Sequence, residues 1–339
     1  MTSQASSVAV LLHPKHKAVL FNSGKRRGLY AGEILDSQGY PGGIVGYPES
    51  NRLYFESIRQ NASQLNGRFL LLEGGECQNE QVLITDRLGS LHGYYVLRDD
   101  RVVAIGTELA DLARHHSSRE LDWEAIATFF TLGFFLDDRT YFKDIRIFEP
   151  ASIYRISADG EIIEHRRYWE WHHHVDRTRS YSDTIDEYHA LLRQAVERCT
   201  NTTGKPILPL SGGLDSRSLA VMMPEGAETQ TYSYGYTRDS IEIHIAGQVA
   251  AARKFAFTSH VIQPYLFDRL EEIVKILHGS QDVTQARQMS INAWVRERAD
   301  GLLTGLWGDV WCDQMGAADG LPEGTSAARL VQAKMQKRG

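Results

Sequence analysis

The order of apolar and polar residues divides this chain in two. Before about residue 170 the apolar positions come in short runs of strand length, at 8–12, 18–21, 68–72, 81–85, 94–97 and 102–105, with Gly, Asn and Asp between them. A polar turn at 13–17 joins the first two runs. This many short strands predict two stacked antiparallel sheets with helices outside.

Residues 170–180, EWHHHVDRTRS, are polar and aperiodic and read as a linker. His172, His173 and His174 are consecutive, so they do not converge easily on one ion and read as a solvated run. Beyond them the period changes. Ile185, Tyr188, Leu192, Ala195 and Cys199 make a helical stripe, with Ser182 as the expected cap and Asp183 and Asp186 in the first turn. Strand-length runs at 206–210, 228–234, 258–263 and 301–304 then alternate with helix-length stretches at 217–223, 240–255, 264–278 and 285–299. Ile241, Ile245, Val249 and Ala252 mark one face of 240–255, and Pro264 opens the next helix with Gly279 past its end. Such alternation predicts an α/β domain, with a parallel sheet that binds its ligand at the carboxyl ends of the strands. The expected organisation is a first domain over 1–170, a linker over 171–180 and a second domain over 181–339.

One of those carboxyl ends carries chemistry. The strand at 206–210 runs through Leu210 into Ser211-Gly212-Gly213-Leu214-Asp215-Ser216 and then a helix. Glycines clear the side-chain atoms that would block a phosphate, and the N–H groups at a helix start face the anion. Ser211 and Ser216 add hydroxyls, and Asp215 is placed to hold a magnesium ion on the phosphates. No Gly-Lys-Ser/Thr follows, so this is not the Walker pattern. The competing reading is a tight turn capped by Asp and Ser. The six-residue match after an apolar strand favours phosphate, because the loop resembles that of enzymes splitting ATP into AMP and pyrophosphate.

Composition narrows the partners. The 339 residues carry a net charge of −6, which gives no electrostatic reason to expect nucleic acid. No run approaches the ~18 apolar residues of a membrane span. MTSQASS has no basic start, so no signal peptide is expected. Cys77, Cys199 and Cys312 show no paired spacing, as in a reduced, cytoplasmic protein.

Several further stretches carry a family resemblance. Leu65-Asn66-Gly67-Arg68-Phe69, Thr85-Asp86-Arg87-Leu88-Gly89, His92-Gly93-Tyr94-Tyr95 and residues 104–112 resemble a glutaminase domain. Residues 129–135 and 140–145, then Glu149-Pro150-Ala151 and Arg167-Tyr168-Trp169, resemble the join to a second domain. With the pyrophosphate loop next in order, residues 65–315 resemble the glutamine-hydrolysing asparagine synthetases. That resemblance implies an α+β sandwich of the Ntn-hydrolase (glutaminase) type. An α/β domain of the ATP-pyrophosphatase, adenine nucleotide α-hydrolase-like type would follow it. It implies ATP and Mg2+ as cofactors, a small-molecule carboxylate with ammonia or an amine as partners, and allows a homodimer. Leu210, Ser211, Gly212, Gly213, Asp215, Ser216, Tyr234, Thr304 and Gly305 would contact ATP, and Asp215 and Asp309 would hold the metal.

Departures bear on activity. The family's glutaminase uses a cysteine directly after the initiator Met, whose free amine is the base for its own thiol. Position 2 here is Thr2, and Cys77 sits in an expected hairpin turn, so glutamine hydrolysis is not expected and no catalytic residue is assigned. Arg26-Arg27-Gly28-Leu29 reads as a remnant of an Arg-Gly-Pro-Asp stretch. Val310 stands where Glu is usual, Trp307 fills a small position, and Arg217 replaces Ser. Glu242 resembles an acidic residue that follows the family's second strand, with a helix-surface acid as the safer reading, and Asp282 and Arg287 align only loosely with substrate-side residues. The chain ends about thirty residues past the second loop, in a basic tail with Lys334 and Lys337, as in a truncated member. The expected function is a ligase that activates a carboxylate, aspartate or a related acid, as an acyl-adenylate and passes it to ammonia or an amine. The alternatives are a β-lactam-synthetase-like or peptide-cyclising relative, which uses an amine of its substrate, and a non-catalytic ATP-binding remnant.

Overall fold

The structure is a computed structural model, described at residues 8–11, 18–23, 26–37, 62–75, 78–116, 118–170, 176, 178–202, 204–226, 228–277, 281–305 and 329. The chain divides into two compact units, Met1–His174 and Val175–Gly339.

In the first unit the strands are β1 (Ala9–Leu11), β2 (Ala18–Ser23), β3 (Arg26–Ser37), β4 (Leu65–Gly75), β5 (Gln78–Thr85), β6 (Tyr94–Arg98), β7 (Arg101–Gly106), β8 (Ile145–Ile147), β9 (Ser152–Ser157) and β10 (Ile162–Arg167). Helices α1 (Leu109–His115) and α2 (Trp123–Leu132) lie between β7 and β8. One antiparallel sheet runs β10-β9-β5-β4-β3-β2, and the other runs β1-β7-β6-β8. The period of two builds the layers. Leu70 and Leu72 of β4 turn to one face, where they meet Leu83, Tyr154 and Ile156 of their own sheet and Tyr95, Val102 and Ile105 of the other. Phe69 and Leu71 turn to the opposite face with Val82, Ile84 and Ile153. Leu109, Leu112 and Ala113 of α1 cover the outer face of the smaller sheet over Tyr94, Val96, Ala104 and Ile145.

The smaller sheet is not wholly antiparallel, because β1 pairs with β7 in parallel register. Its chain leaves for the larger sheet before returning, and a long crossover is what a parallel pair requires. The ladder also slips between Val96 and Leu97. That bulge puts Val102 and Ile105, three apart in sequence, into one core. Residues 26–29, read as the remnant of the Arg-Gly-Pro-Asp stretch, begin the twelve-residue strand β3.

In the second unit, α3 (Tyr181–Thr202), β11 (Pro206–Pro209), α4 (Leu214–Met222), β12 (Gln230–Gly235), α5 (Ile241–Ala252), β13 (Ala256–Val261), α6 (Leu270–Leu277), α7 (Asn292–Arg296) and β14 (Gly301–Leu302) follow in order. The sheet is parallel throughout, in the order β13-β12-β11-β14. Leu208, Leu219, Ala220, Ala246 and Ala250 pack one face, and Ile207, Tyr232, Ile291 and Trp294 pack the other. A sheet covered on both faces has only its ends free for ligand.

Local chemistry moved several expected boundaries. Ser180, not Ser182, caps α3: its hydroxyl accepts the Asp183 N–H at 3.1 Å and donates to the Asp183 carboxylate at 2.7 Å. Among the described side chains of that helix only Val196 is buried, and Ile185 and Tyr188 of the expected stripe are exposed. On α5 the buried positions are Ala246 and Ala250 rather than Ile241, since small side chains let the helix approach the strands. Pro264 starts no helix: a turn covers residues 266–269, and α6 begins only at Leu270. The stretch expected as one helix over 285–299 forms two 3-10 turns and the short α7, with a cap at Asp282 that accepts the Thr284 N–H at 2.9 Å. No helix among the described residues is long and apolar enough to cross a membrane.

Candidate functional site

The resemblance motifs of the first unit converge on one turn. Asp86, fully buried, accepts four backbone N–H groups, from Phe69 at 3.2 Å, Leu88 at 3.0 Å, Ser90 at 2.9 Å and Leu91 at 3.0 Å. The Asp86 carbonyl accepts the Ala151 N–H at 2.9 Å, and the Ala151 carbonyl accepts the Tyr168 N–H at 2.7 Å. Tyr168 closes the circuit by donating its hydroxyl to the Thr85 carbonyl at 2.7 Å. Gly89, with φ +62°, lies against Pro150. Residues 85–89, 149–151 and 167–168 are therefore one structural knot, and the strength of their sequence signal has a packing cause. Thr2, Cys77 and residues 172–174 lie outside the described residues.

The second unit has an open turn where the first has a closed one. Buried Ile207 and Leu208 fix β11, and the Leu210 N–H donates to the Tyr232 carbonyl at 2.7 Å, extending the sheet to the start of the loop. Ser216 is buried inside the loop. Its oxygen accepts the Ser211 N–H at 3.1 Å and lies 3.0 Å from the Ser211 hydroxyl. The Ser211 hydroxyl accepts the Gly213 N–H at 3.1 Å. The two serines thus hold the loop's shape through each other.

Helix α4 begins at Leu214 with no side-chain cap at Gly213, so Asp215 and Ser216 belong to its first turn. That start is earlier than the sequence suggested. The first N–H groups of a helix have no partner within it, and the exposed Asp215 lies in that first turn. Among the described residues the Asp215 carboxylate accepts no hydrogen bond.

Two further stretches border the loop. Strand β14 pairs with β11, and the Leu303 N–H donates to the Ile207 carbonyl at 3.0 Å, which brings Thr304 and Gly305 alongside. A Cβ on Gly305 would stand 2.9 Å from both the carbonyl carbon and the Cβ of Asp215, so glycine is required for this approach. On the other side a Cβ on Gly212 would lie 3.7 Å from Glu242 Cα and 3.4 Å from Ile245 Cδ1 of α5. Tyr234 stands on β12 beside His260 of β13.

Leu210, Ser211, Gly212, Gly213, Asp215, Ser216, Thr304 and Gly305 therefore gather along the carboxyl edge of β11 and β14, with Tyr234 at the same edge on β12. Asp309, with Trp307 and Val310, lies outside the described residues. Among the described residues no group of three metal-ligating side chains forms. Magnesium held against phosphate needs only one or two carboxylates, and the unengaged Asp215 fits that demand. Two residues beside the loop were not assigned to the site from sequence. Glu242, weighed there as a family acidic residue after the second strand but read as helix surface, borders the loop at Gly212. Arg217 falls four residues after Gly213, and its Nε donates to the Gly213 carbonyl at 3.3 Å.

Behind the edge, Tyr232 is fully buried and Trp294 lies edge-on to both Tyr232 and His260, with centroids 5.8 and 4.5 Å away. Among the described residues, the buried Tyr232 hydroxyl and His260 Nε2 have no hydrogen-bond partner. Burial, with Arg298 nearby, holds the His260 imidazole below its ordinary pKa.

Comparison with known proteins gives both units a place. A family model described as a glutamine amidotransferase domain matches residues 52–169, and one described as asparagine synthase matches residues 187–309. Asparagine synthetase [glutamine-hydrolyzing] 3 of Bacillus subtilis (strain 168) is 28% identical over 257 residues, covering 68% of this chain and 40% of its own. Asparagine synthetase [glutamine-hydrolyzing] 1 of the same organism is 25% identical over 273 residues, covering 78% of this chain and 42% of its own. The chain thus spans about two fifths of the length of these curated relatives. A solved glutamine phosphoribosylpyrophosphate amidotransferase from B. subtilis, complexed with ADP and GMP, aligns at 15% identity with a TM-score of 0.26, over 75% of this chain and 52% of that one. With an amidotransferase domain followed by an asparagine synthase domain, this chain belongs to the asparagine synthase family.

Proposed function

We propose that the second unit binds ATP at the carboxyl edge of its parallel sheet and joins a carboxylate to ammonia or an amine by way of an acyl-adenylate. One observation carries the reading: Gly305 packs directly on Asp215, which brings the second loop onto the first at the free end of the sheet. The N–H groups at the start of α4 face the phosphates. Gly212 and Gly213 let them approach, and the mutually bonded Ser211 and Ser216 keep the loop in that shape. Tyr234 and Thr304 border the nucleotide on either side.

Magnesium, held by Asp215 and Asp309, would offset the charge gathering on the leaving pyrophosphate. Asp215 is free to take part because nothing else among the described residues claims its carboxylate. Aspartate is the first carboxylate to try, since the family relatives are named asparagine synthetases. The first unit is proposed as a glutaminase-type domain without glutamine hydrolysis. A substrate amine in place of ammonia, as in a cyclising relative, shares the same adenylating edge.

The test is pyrophosphate release from Mg-ATP, with aspartate plus ammonia in one series and aspartate plus glutamine in another. Release with ammonia alone is the expected result. Release with glutamine would overturn the silent first unit. ATP binding without release under any acid and amine would replace the ligase with an ATP-binding remnant.

A further inference from the structure

Arg217 is the residue of the loop that neither the resemblance nor the fold accounts for. It lies in the opening turns of α4, four residues past Gly213. Helical side chains lean toward the helix start, so its arm runs back along the loop. Its Nε is tied to the Gly213 carbonyl at 3.3 Å, which fixes the guanidinium at the mouth of the turn. Two carboxylates border the same loop, Asp215 and Glu242, yet among the described residues neither forms an ion pair with it. Some other arginines of this unit are paired, such as Arg253 with Glu225 at 2.8 Å and Arg269 with Glu272 at 2.7 Å.

A cation near a helix N-terminus also stands against the helix dipole. Its placement is unfavourable while the site is empty and favourable once an anion arrives. A guanidinium with one N–H anchored retains donors on both terminal nitrogens, in the planar fork that matches two oxygens of one phosphate.

We propose that Arg217 is a pyrophosphate-binding residue of this site, with its free guanidinium edge directed to the phosphate oxygens that leave as pyrophosphate. This rests on the ATP reading of the loop and adds a named charge to it. The ligand class is a polyphosphate chain, and the adenosine part lies beyond the reach of this side chain.

The experiment titrates the full chain, its Arg217→Gln variant and its Arg217→Lys variant with inorganic pyrophosphate, ATP and adenosine, each with magnesium, by calorimetry. Arg217→Gln is expected to weaken pyrophosphate and ATP by about tenfold or more and to leave adenosine unchanged. Arg217→Lys, which keeps the charge and loses the fork, should recover part of the loss. Pyrophosphate bound equally well by Arg217→Gln would overturn the proposal and leave the ATP reading standing. Equal losses for pyrophosphate and adenosine would mark a structural role and overturn it too. Failure of the unaltered chain to bind either ATP or pyrophosphate would overturn the ATP reading and this proposal with it.

Discussion

Two turns of this chain have much the same ingredients and opposite designs. Thr85-Asp86-Arg87-Leu88-Gly89-Ser90 and Ser211-Gly212-Gly213-Leu214-Asp215-Ser216 both set an aspartate among glycine and serine at the end of a strand. In the first, the carboxylate is buried and answers four N–H groups of its own chain. In the second it is exposed and answers none among the described residues, in the first turn of α4. A turn whose donors and acceptors are matched internally is architecture. A turn that leaves its carboxylate unanswered at the end of a parallel sheet keeps that group available to a ligand.

Removing the two carboxylates gives the sharpest contrast. Asp86→Ala strands four backbone donors in the interior and should cost about 3–5 kcal/mol in urea denaturation. Asp215→Ala should stay within about 0.5 kcal/mol in the same assay while abolishing pyrophosphate release. Comparable stability losses would erase the distinction between the turns.

Gly305→Ala tests how closely the two loops of the second unit meet. The added methyl collides with the backbone of Asp215, with an expected cost of about 1–3 kcal/mol and weakened ATP binding. Unchanged ATP affinity would separate Gly305 from the site.

Ser216→Ala removes the hydroxyl that accepts the Ser211 N–H and should cost about 1 kcal/mol. A larger loss of ATP affinity than of stability would show that its hydroxyl serves the ligand besides the loop.

The smallest expected effect concerns pH. His260 is held below its ordinary value of 6.5 by burial and by Arg298. Between the lowered value and 6.5 the unfolded chain binds more protons than the folded one, so stability falls as pH drops through that window and levels off below it. His260→Phe should reduce the stability difference between about pH 7.5 and about pH 5, as read by urea denaturation with Trp294 fluorescence. An unchanged difference would show that the imidazole titrates as it would in water.

Much of both turns was legible in the sequence, for different reasons. The loop at 211–216 was visible because a glycine-rich turn between a strand and a helix needs particular residue types in a fixed order. The motifs at 85–89, 149–151 and 167–169 were visible too, but their meaning was not. Only the bonds from Asp86 to Ala151 to Tyr168 show that they form one knot across three separate stretches. The parallel pairing of β1 with β7 was hidden because strand direction leaves no trace in an alternating pattern. The helix expected over 285–299 failed for a related reason. Helical spacing was present, but the segment packs as two 3-10 turns and α7 over Tyr232, in a place where tertiary contact outweighs propensity.

The sequence by itself determined the division into a strand-rich unit and an alternating unit, and the loop between β11 and α4. Those features rest on local periodicity and on glycine, and both are written in neighbouring residues. The tertiary structure alone decided that Gly305 lies on Asp215, that Glu242 borders Gly212, and that Asp86 is sealed while Asp215 is open. Each of these depends on which strands become neighbours. A parallel sheet makes that choice across tens of residues, and no local pattern records it.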